Sequence, residues 1–499
     1  MLPGLAAGLD CATIPSLRAA FRAGELTVTA LVEAFLDRIE RLDPELRTVL
    51  ARRPDALRDA RDADRRWRAG QPCGPLDGIP VLVKDNIAVS GLPTTVGSRA
   101  LADSAPPDAA LVRRLRAAGA IIIGKANLSE WANFRSTRST SGWSAIGGQC
   151  RNPHALDRTP SGSSSGSAAA VAASLTQVAI GSETDGSITA PASACGVVGF
   201  KPTHGSVPGE GIVPISSAQD VAGPITRHVI DAAIVFSVLA GAVVDDTAPF
   251  GVAATGPGRP GDARHGGPLA GARLGVWRPA GSDAAIDVVF DATLAALAAG
   301  GAELIDIPID IAAVAAHEMP ALLTEFHHEL DAYLAAAPGG GPRDMAALVA
   351  FNQADDLELA RFGQEQFEAA LAAPPIDDPG YLRHRATATA LARAALDEPM
   401  DAHGLDAIIT VTASPAGVID YALGDDGQIE TTTAAAVAGN PAISLPAGFV
   451  TAPTGAASPA GPLPIGVTLI GRRGGDMALL RLASALEQIH PARRAPTQF

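Results

Sequence analysis

Residues 158–205 read RTPSGSSSGSAAAVAASLTQVAIGSETDGSITAPASACGVVGFKPTHG, and the rest of the chain is organised around them. A Gly/Ser loop, residues 161–167, opens directly into the Ala-rich run Ala168–Ala173. The apolar segment Gln177–Ile180 follows, and then a second small-residue turn, residues 181–188. Alanine is the strongest helix former, and Val178-Ala179-Ile180 suits a buried strand, so the order is loop, helix, strand, loop. Small residues let backbone N–H groups approach a ligand closely, and a Gly/Ser loop that opens a helix aims free donors at it. A flexible linker is the plain alternative, but ordered apolar elements flank the loop on both sides. Neither G-x-x-x-x-G-K-[ST] nor G-x-G-x-x-G spacing occurs here, which removes the usual phosphate loops.

The stretch resembles the signature of the amidase signature family, roughly GGSSGGS…GTDxGGSIRxPA…CGxxGxKPT, here written SGSSSGS…GSETDGSITAPAS-ACGVVGFKPT. The resemblance implies a Ser-cisSer-Lys triad, carried by Lys84, Ser163 and Ser187, with Ser163 behind a cis peptide bond at Gly162. The backbone N–H groups of Thr184, Asp185 and Gly186, with that of Ser187, are the implied oxyanion hole. The departures are Glu183 where the family has Asp, Asp185 where it has Gly, Thr189 where it has Arg, and Ser161 and Ser165 where it has Gly. None is a triad position. The GSETDGSI form and the segment ANLSEWANFRSTRSTSGWSAIGGQ, residues 126–149, are similar to bacterial peptide amidases, which deamidate peptide C-termini. So is Gln219-Asp220…Gly223-Pro224.

Lys84 also stands out on its own residues. Turn chemistry at Gly74–Pro80 feeds the apolar strand Val81-Leu82-Val83, which runs straight into Lys84-Asp85-Asn86. A lysine ending a buried strand is either snorkelling, paired with Asp85, or functional, since burying its charge unpaired costs several kcal/mol. Lys125 ends a second strand and reads as structural or ion-paired. No Ser-His-Asp arrangement is visible, and His204 in KPTHG reads as structural.

The chain has 499 residues, 47% hydrophobic and 18% charged, which is a globular composition. Thirty-eight basic residues against 53 acidic ones leave a net charge of −15, and only 3 Tyr occur, so a basic, aromatic nucleic-acid face is not expected. Cys11, Cys73, Cys150 and Cys195 are scattered, without C-x-x-C, so neither disulfides nor zinc are expected. Adjacent His327 and His328 point apart on a helix, and no metal or cofactor is assigned. No signal segment and no run of 18 apolar residues is visible, so a cytoplasmic protein without a membrane span is expected, exported if the chain is a trimmed form.

Helix-then-strand units recur through the chain and predict an α/β fold: one large domain with a central mixed, largely parallel twisted sheet covered by helices on both faces. Residues 1–70 are expected to be N-terminal helices packing on the core, and residues 71–499 the main domain, with the signature core at 76–240. Thr27-Val28-Thr29 caps a helix that Pro44 ends, and Ala56–Arg68 is a charged amphipathic helix. Arg227 and Asp231, spaced i, i+4, read as a surface ion pair. Val243–Ala272 is Gly/Pro-rich and reads as an exposed loop. Helices within 318–371 resemble the part that covers the active-site mouth and sets substrate choice. Phe134, Trp143 and Ile146 either line a pocket or belong to the core; Phe134, Trp143 and Gln219 are the substrate-binding candidates.

An amide is a poor electrophile with a poor leaving group, so a serine needs activation, an oxyanion hole and a proton for the departing nitrogen. Lysine serves as a base only when neutral, which requires burial to lower its pKa. By the family resemblance the expected activity is hydrolysis of the C-terminal amide of peptides or of N-acylated amino acid amides, releasing ammonia. Three alternatives stand beside it: another aryl or aliphatic amidase, the amidase-like subunit of a tRNA-dependent amidotransferase with a partner protein, and a binding protein with a dead site. The expected quaternary state is monomer or homo-oligomer.

Overall fold

The computed structural model describes residues 8–241, 267–425, 429, 431–451 and 461–497. Most of the Val243–Ala272 segment therefore lies outside the described residues. The centre is an 11-stranded sheet. From one edge the strands run Val49–Arg52, Ile121–Ala126, Pro80–Lys84, Val178–Glu183, Val221–Thr226 and Val198–Lys201. They continue through Ala442–Thr451, Pro462–Gly471, Ala407–Val411, Arg273–Trp277 and Glu303–Asp306. Parallel pairing is confined to two places. Pro80–Lys84 pairs in parallel with Ile121–Ala126 and with Val178–Glu183, and Arg273–Trp277 does so with Ala407–Val411 and Glu303–Asp306. The middle of the sheet is antiparallel. The sheet is thus mixed, and less parallel than the recurring helix–strand units imply. One reason is Val221–Thr226, VAGPIT, which pairs antiparallel with Val178–Glu183 along its whole length.

The strands around Lys84 are buried at every position, so their apolar runs lack the alternation of a half-exposed strand. Helices Ile14–Ala23, Val28–Leu46 and Ala56–Arg68 bury Leu17, Val28, Phe35 and Ala60 in the same apolar cluster as the sheet. Thr27 accepts from the Ala30 amide at 3.1 Å as the expected cap. Pro44 does not end that helix, which continues to Leu46 and closes on Arg47 in the left-handed conformation. A second cluster, with Trp131, Phe134, Phe326 and Phe367, joins the 126–149 segment to the Ala312–Ala336, Met345–Ala354 and Glu365–Leu371 helices. The stretch 342–371 holds two helices, Met345–Ala354 and Glu365–Leu371, rather than one.

Arg227 and Asp231 are not on the surface. Both are buried, and Gln177 stands between them, accepting from Arg227 Nη2 at 2.5 Å and donating to Asp231 Oδ2 at 2.9 Å. The i, i+4 spacing reports neighbourhood on a helix but not which way it faces. Among the described residues, no helix is long and apolar enough to cross a membrane.

Candidate active site

Two parallel neighbours deliver the site. In the Pro80–Lys84 and Val178–Glu183 strands, Val83 lies opposite Ile180. Both therefore end at the same edge, one in Lys84 and the other in the 184–187 turn. The Gly/Ser loop crosses above them. Its helix, Ser165–Ala172, is buried throughout, and a Cβ on Gly166 would collide with the backbone of Thr48 and Asn127. This close approach is what the small residues permit. The Gly162–Ser163 peptide bond is cis, as the resemblance implies.

Lys84, Ser163 and Ser182 are packed together in the interior. Lys84 Nζ lies 2.7 Å from Ser163 Oγ and 3.0 Å from both the carbonyl oxygen and Oγ of Ser182. Asn86 Nδ2 donates to Ser182 Oγ at 2.9 Å. Among the described residues, no carboxylate lies within 4.0 Å of Lys84 Nζ. Burial pulls its pKa down to about 7, against the opposing pull of Asp220 and Glu183. A neutral amine has two donors and one lone pair. With the donors spent on Ser182, the lone pair is left facing Ser163 Oγ.

Lys125 differs in kind. It is equally buried, but Asp85 Oδ1 lies 2.9 Å from its Nζ. Asp85 thus serves Lys125 and not Lys84, which removes the local pairing open to Lys84 in the sequence.

The serine loops are tied to each other by backbone. The Ser164 amide donates to the Ser187 carbonyl at 3.1 Å, and Ser164 Oγ donates to the Ser182 carbonyl at 3.1 Å. Gly186 has a φ of +75°, which a residue with a Cβ adopts only at a penalty, and this turns Ser187 back towards the Gly/Ser loop. Among the described residues, the amides of Gly186 and Ser187 donate to no protein acceptor. Glu183 takes the next two, accepting from the Ile188 and Thr189 amides at 2.8 and 3.0 Å. Asp185 accepts from the hydroxyls of Thr432 and Thr433, each at 2.6 Å.

Phe134 and Trp143 are buried and packed edge-on against aromatic neighbours, Phe326 at 5.1 Å and Phe362 at 5.1 Å between ring centres. Gln219 is buried, with its amide engaged at both ends by Arg385 and Glu318. Burial, followed by the charge of Asp185, pushes Glu318 well above the usual carboxylate range. His204 Nε2 lies 2.9 Å from the Ser217 carbonyl oxygen. Sequence reading missed Ser182, Asn86, Glu318 and Arg385 as members of this region. Ser182 and Asn86 sit inside the quoted motifs and were legible there. Arg385 belongs to a helix, Pro379–His403, with no motif to mark it.

The family described as Amidase matches residues 30–480. A probable amidase of Arabidopsis thaliana is 36% identical over 505 residues, covering 97% of this chain and 91% of the relative. A glutamyl-tRNA(Gln) amidotransferase subunit from Anaeromyxobacter dehalogenans is 35% identical, with 93% of each chain covered. The crystal structure of the native peptide amidase from Stenotrophomonas maltophilia is 43% identical, with a TM-score of 0.85 over 97% of this chain and 98% of that one. A chain matched over most of its length by the family, and resembling these relatives from end to end, belongs to the amidase signature family and is a hydrolase acting on amide C–N bonds.

Proposed function

We propose that the protein hydrolyses the C-terminal carboxamide of peptides or N-acylated amino acid amides, releasing ammonia, through an acyl-enzyme on Ser187. The observation that carries the mechanism is the buried Lys84 amine, 2.7 Å from Ser163 Oγ and without a carboxylate partner among the described residues. The substrate class rests on the 43% identity to a peptide amidase across nearly the whole chain.

Neutral Lys84 takes the proton of Ser163 as Ser163 takes that of Ser187, and Ser187 Oγ bonds to the carbonyl carbon. The oxygen becomes an oxyanion, held by the amides of the 184–187 turn. The relay then returns the proton to the nitrogen, the C–N bond breaks, and ammonia leaves an ester on Ser187. Water, giving its proton to the same relay, attacks the ester and releases the carboxylic acid. Phe134 and Trp143 are proposed to shape the wall that the substrate's side chains meet.

The test is ammonia release from a dipeptide amide, a free amino acid amide, an aryl amide and glutamine. Release from the dipeptide amide with its internal peptide bond intact is expected. The 35% identity to an amidotransferase component favours a second reading, in which the chain works on glutamine with a partner. Activity on glutamine that appears only with a co-purifying protein, and none on peptide amides, would establish that reading instead.

A further inference from the structure

Arg385 and Gln219 belong to a closed ring of hydrogen bonds that returns to Thr184, the first residue of the turn carrying Ser187. Thr184 Oγ1 donates to Asp220 Oδ1 at 2.5 Å. Asp220 Oδ2 accepts from the Ser216 amide at 3.0 Å, and Ser216 Oγ donates to Glu325 Oε2 at 2.6 Å. Glu325 accepts twice from Arg385, at 2.6 Å from Nε and 2.5 Å from Nη2. Arg385 Nη1 donates to Gln219 Oε1 at 2.6 Å, and Gln219 Nε2 donates to the Thr184 carbonyl at 3.3 Å. The second Nε2 hydrogen is directed to Glu318 Oε1, 2.7 Å away.

The chemistry fixes the direction of each link. A guanidinium only donates, so the atom of Gln219 that faces Arg385 is its oxygen, and the NH₂ is turned to Glu318 and Thr184. Thr184 is thereby held by its side chain and its carbonyl at once. Holding the carbonyl fixes the plane of the peptide that follows, and with it the course of the turn through Gly186 to Ser187. Oxyanion stabilisation depends on donors already in place when charge develops, so a turn fixed in advance acts on the transition state more than on the bound amide. Glu325 and Arg385 come from the Ala312–Ala336 and Pro379–His403 helices, so the ring joins the helical cover to the nucleophile's turn.

We propose that Arg385 and Gln219 are positioning residues that lock the 184–187 turn in its reactive geometry, rather than contacts for the substrate. This rests on the hydrolytic reading above for its kinetic consequence, while the mechanical claim stands on the ring itself. Arg385→Ala opens the ring. Gln219→Met is the narrower variant, since it leaves the Arg385–Glu325 pair in place and introduces no charge beside Glu318, while removing the link to Thr184.

Both variants are compared with the wild type by amide hydrogen exchange of the peptide covering 183–190 and by kcat and KM on a dipeptide amide. Faster exchange in that peptide is expected, with kcat lower by about 10–100-fold and KM unchanged. Arg385→Lys, which keeps a cationic donor, is expected to recover part of kcat. Unaltered exchange in 183–190 would overturn the proposal, as would a raised KM with kcat intact, the mark of a direct substrate contact. A wild type that releases no ammonia from any amide would instead overturn the hydrolytic reading, and the exchange measurement would still decide the ring.

Discussion

Lys84 Nζ lies 2.7 Å from Ser163 Oγ, while the other buried lysine of the neighbouring strand, Lys125, lies 2.9 Å from Asp85. The two lysines share burial and differ in company. Burial lowers the pKa of both, but at Lys125 the Asp85 carboxylate opposes that pull from within contact, while at Lys84 the described partners are hydroxyls and a carbonyl, which favour the neutral amine that a proton relay needs.

The pH dependence follows from that difference. The Lys84 amine is brought down to about 7, so the fraction able to accept a proton rises through neutrality. The kcat/KM of amide hydrolysis is expected to climb about tenfold per pH unit below that point and to level above it. A profile flat from pH 5 to 9 would remove Lys84 as the base.

Lys84→Met should abolish turnover and also stabilise the fold. The folded-state pKa is depressed below the ordinary 10.5, so between about 7 and 10.5 the unfolded chain binds the extra proton and stability rises with pH. The penalty of keeping Lys84 is complete at and below about pH 7 and gone above the ordinary lysine value. The variant should therefore gain a few kcal/mol at pH 6–7, at about 1.4 kcal/mol per pKa unit, and little at pH 11. Denaturant melts at both pH values check this.

Asp85→Asn tests the contrasting lysine. It leaves Lys125 buried without its charge partner, and should destabilise the protein by about 3–5 kcal/mol, seen as a large fall in Tm. Its effect on kcat/KM per folded molecule should be far smaller than that of Lys84→Met.

Ser187→Ala should lower ammonia release by at least about 10³-fold while leaving Tm unchanged, since Ser187 Oγ is needed for bond making and not for packing. Ester hydrolysis, which uses the same acyl-enzyme, should fall with it. An esterase that survives in Ser187→Ala would point to a second nucleophile.

Much of the centre was legible because its chemistry demands unusual residues. The Ser165–Ala172 helix must enter the core beside Thr48 and Asn127, and only small residues fit there. A lysine at the end of a fully apolar strand, Pro80–Lys84, is equally conspicuous. The outer parts were less legible. The Pro379–His403 helix buries Ala388, Ala392, Leu396 and Met400 at i, i+4 steps, a stripe too poor in large side chains to stand out in an Ala-rich chain. Arg385 went unread with it. Gln219 was legible as a member of the site, but its partners come from two helices more than 90 residues further on, and no local spacing reports such contacts.

The most direct measurement is acid-quenched mass spectrometry of the wild-type protein mixed with an N-acylated dipeptide p-nitrophenyl ester, followed by peptide mapping. A transient mass increase equal to the acyl group on Ser187, absent in Ser187→Ala and strongly slowed in Lys84→Met, is the expected result. An adduct on Ser163, or rapid turnover with no adduct on either serine, would contradict the relay from Ser187 through Ser163 to Lys84.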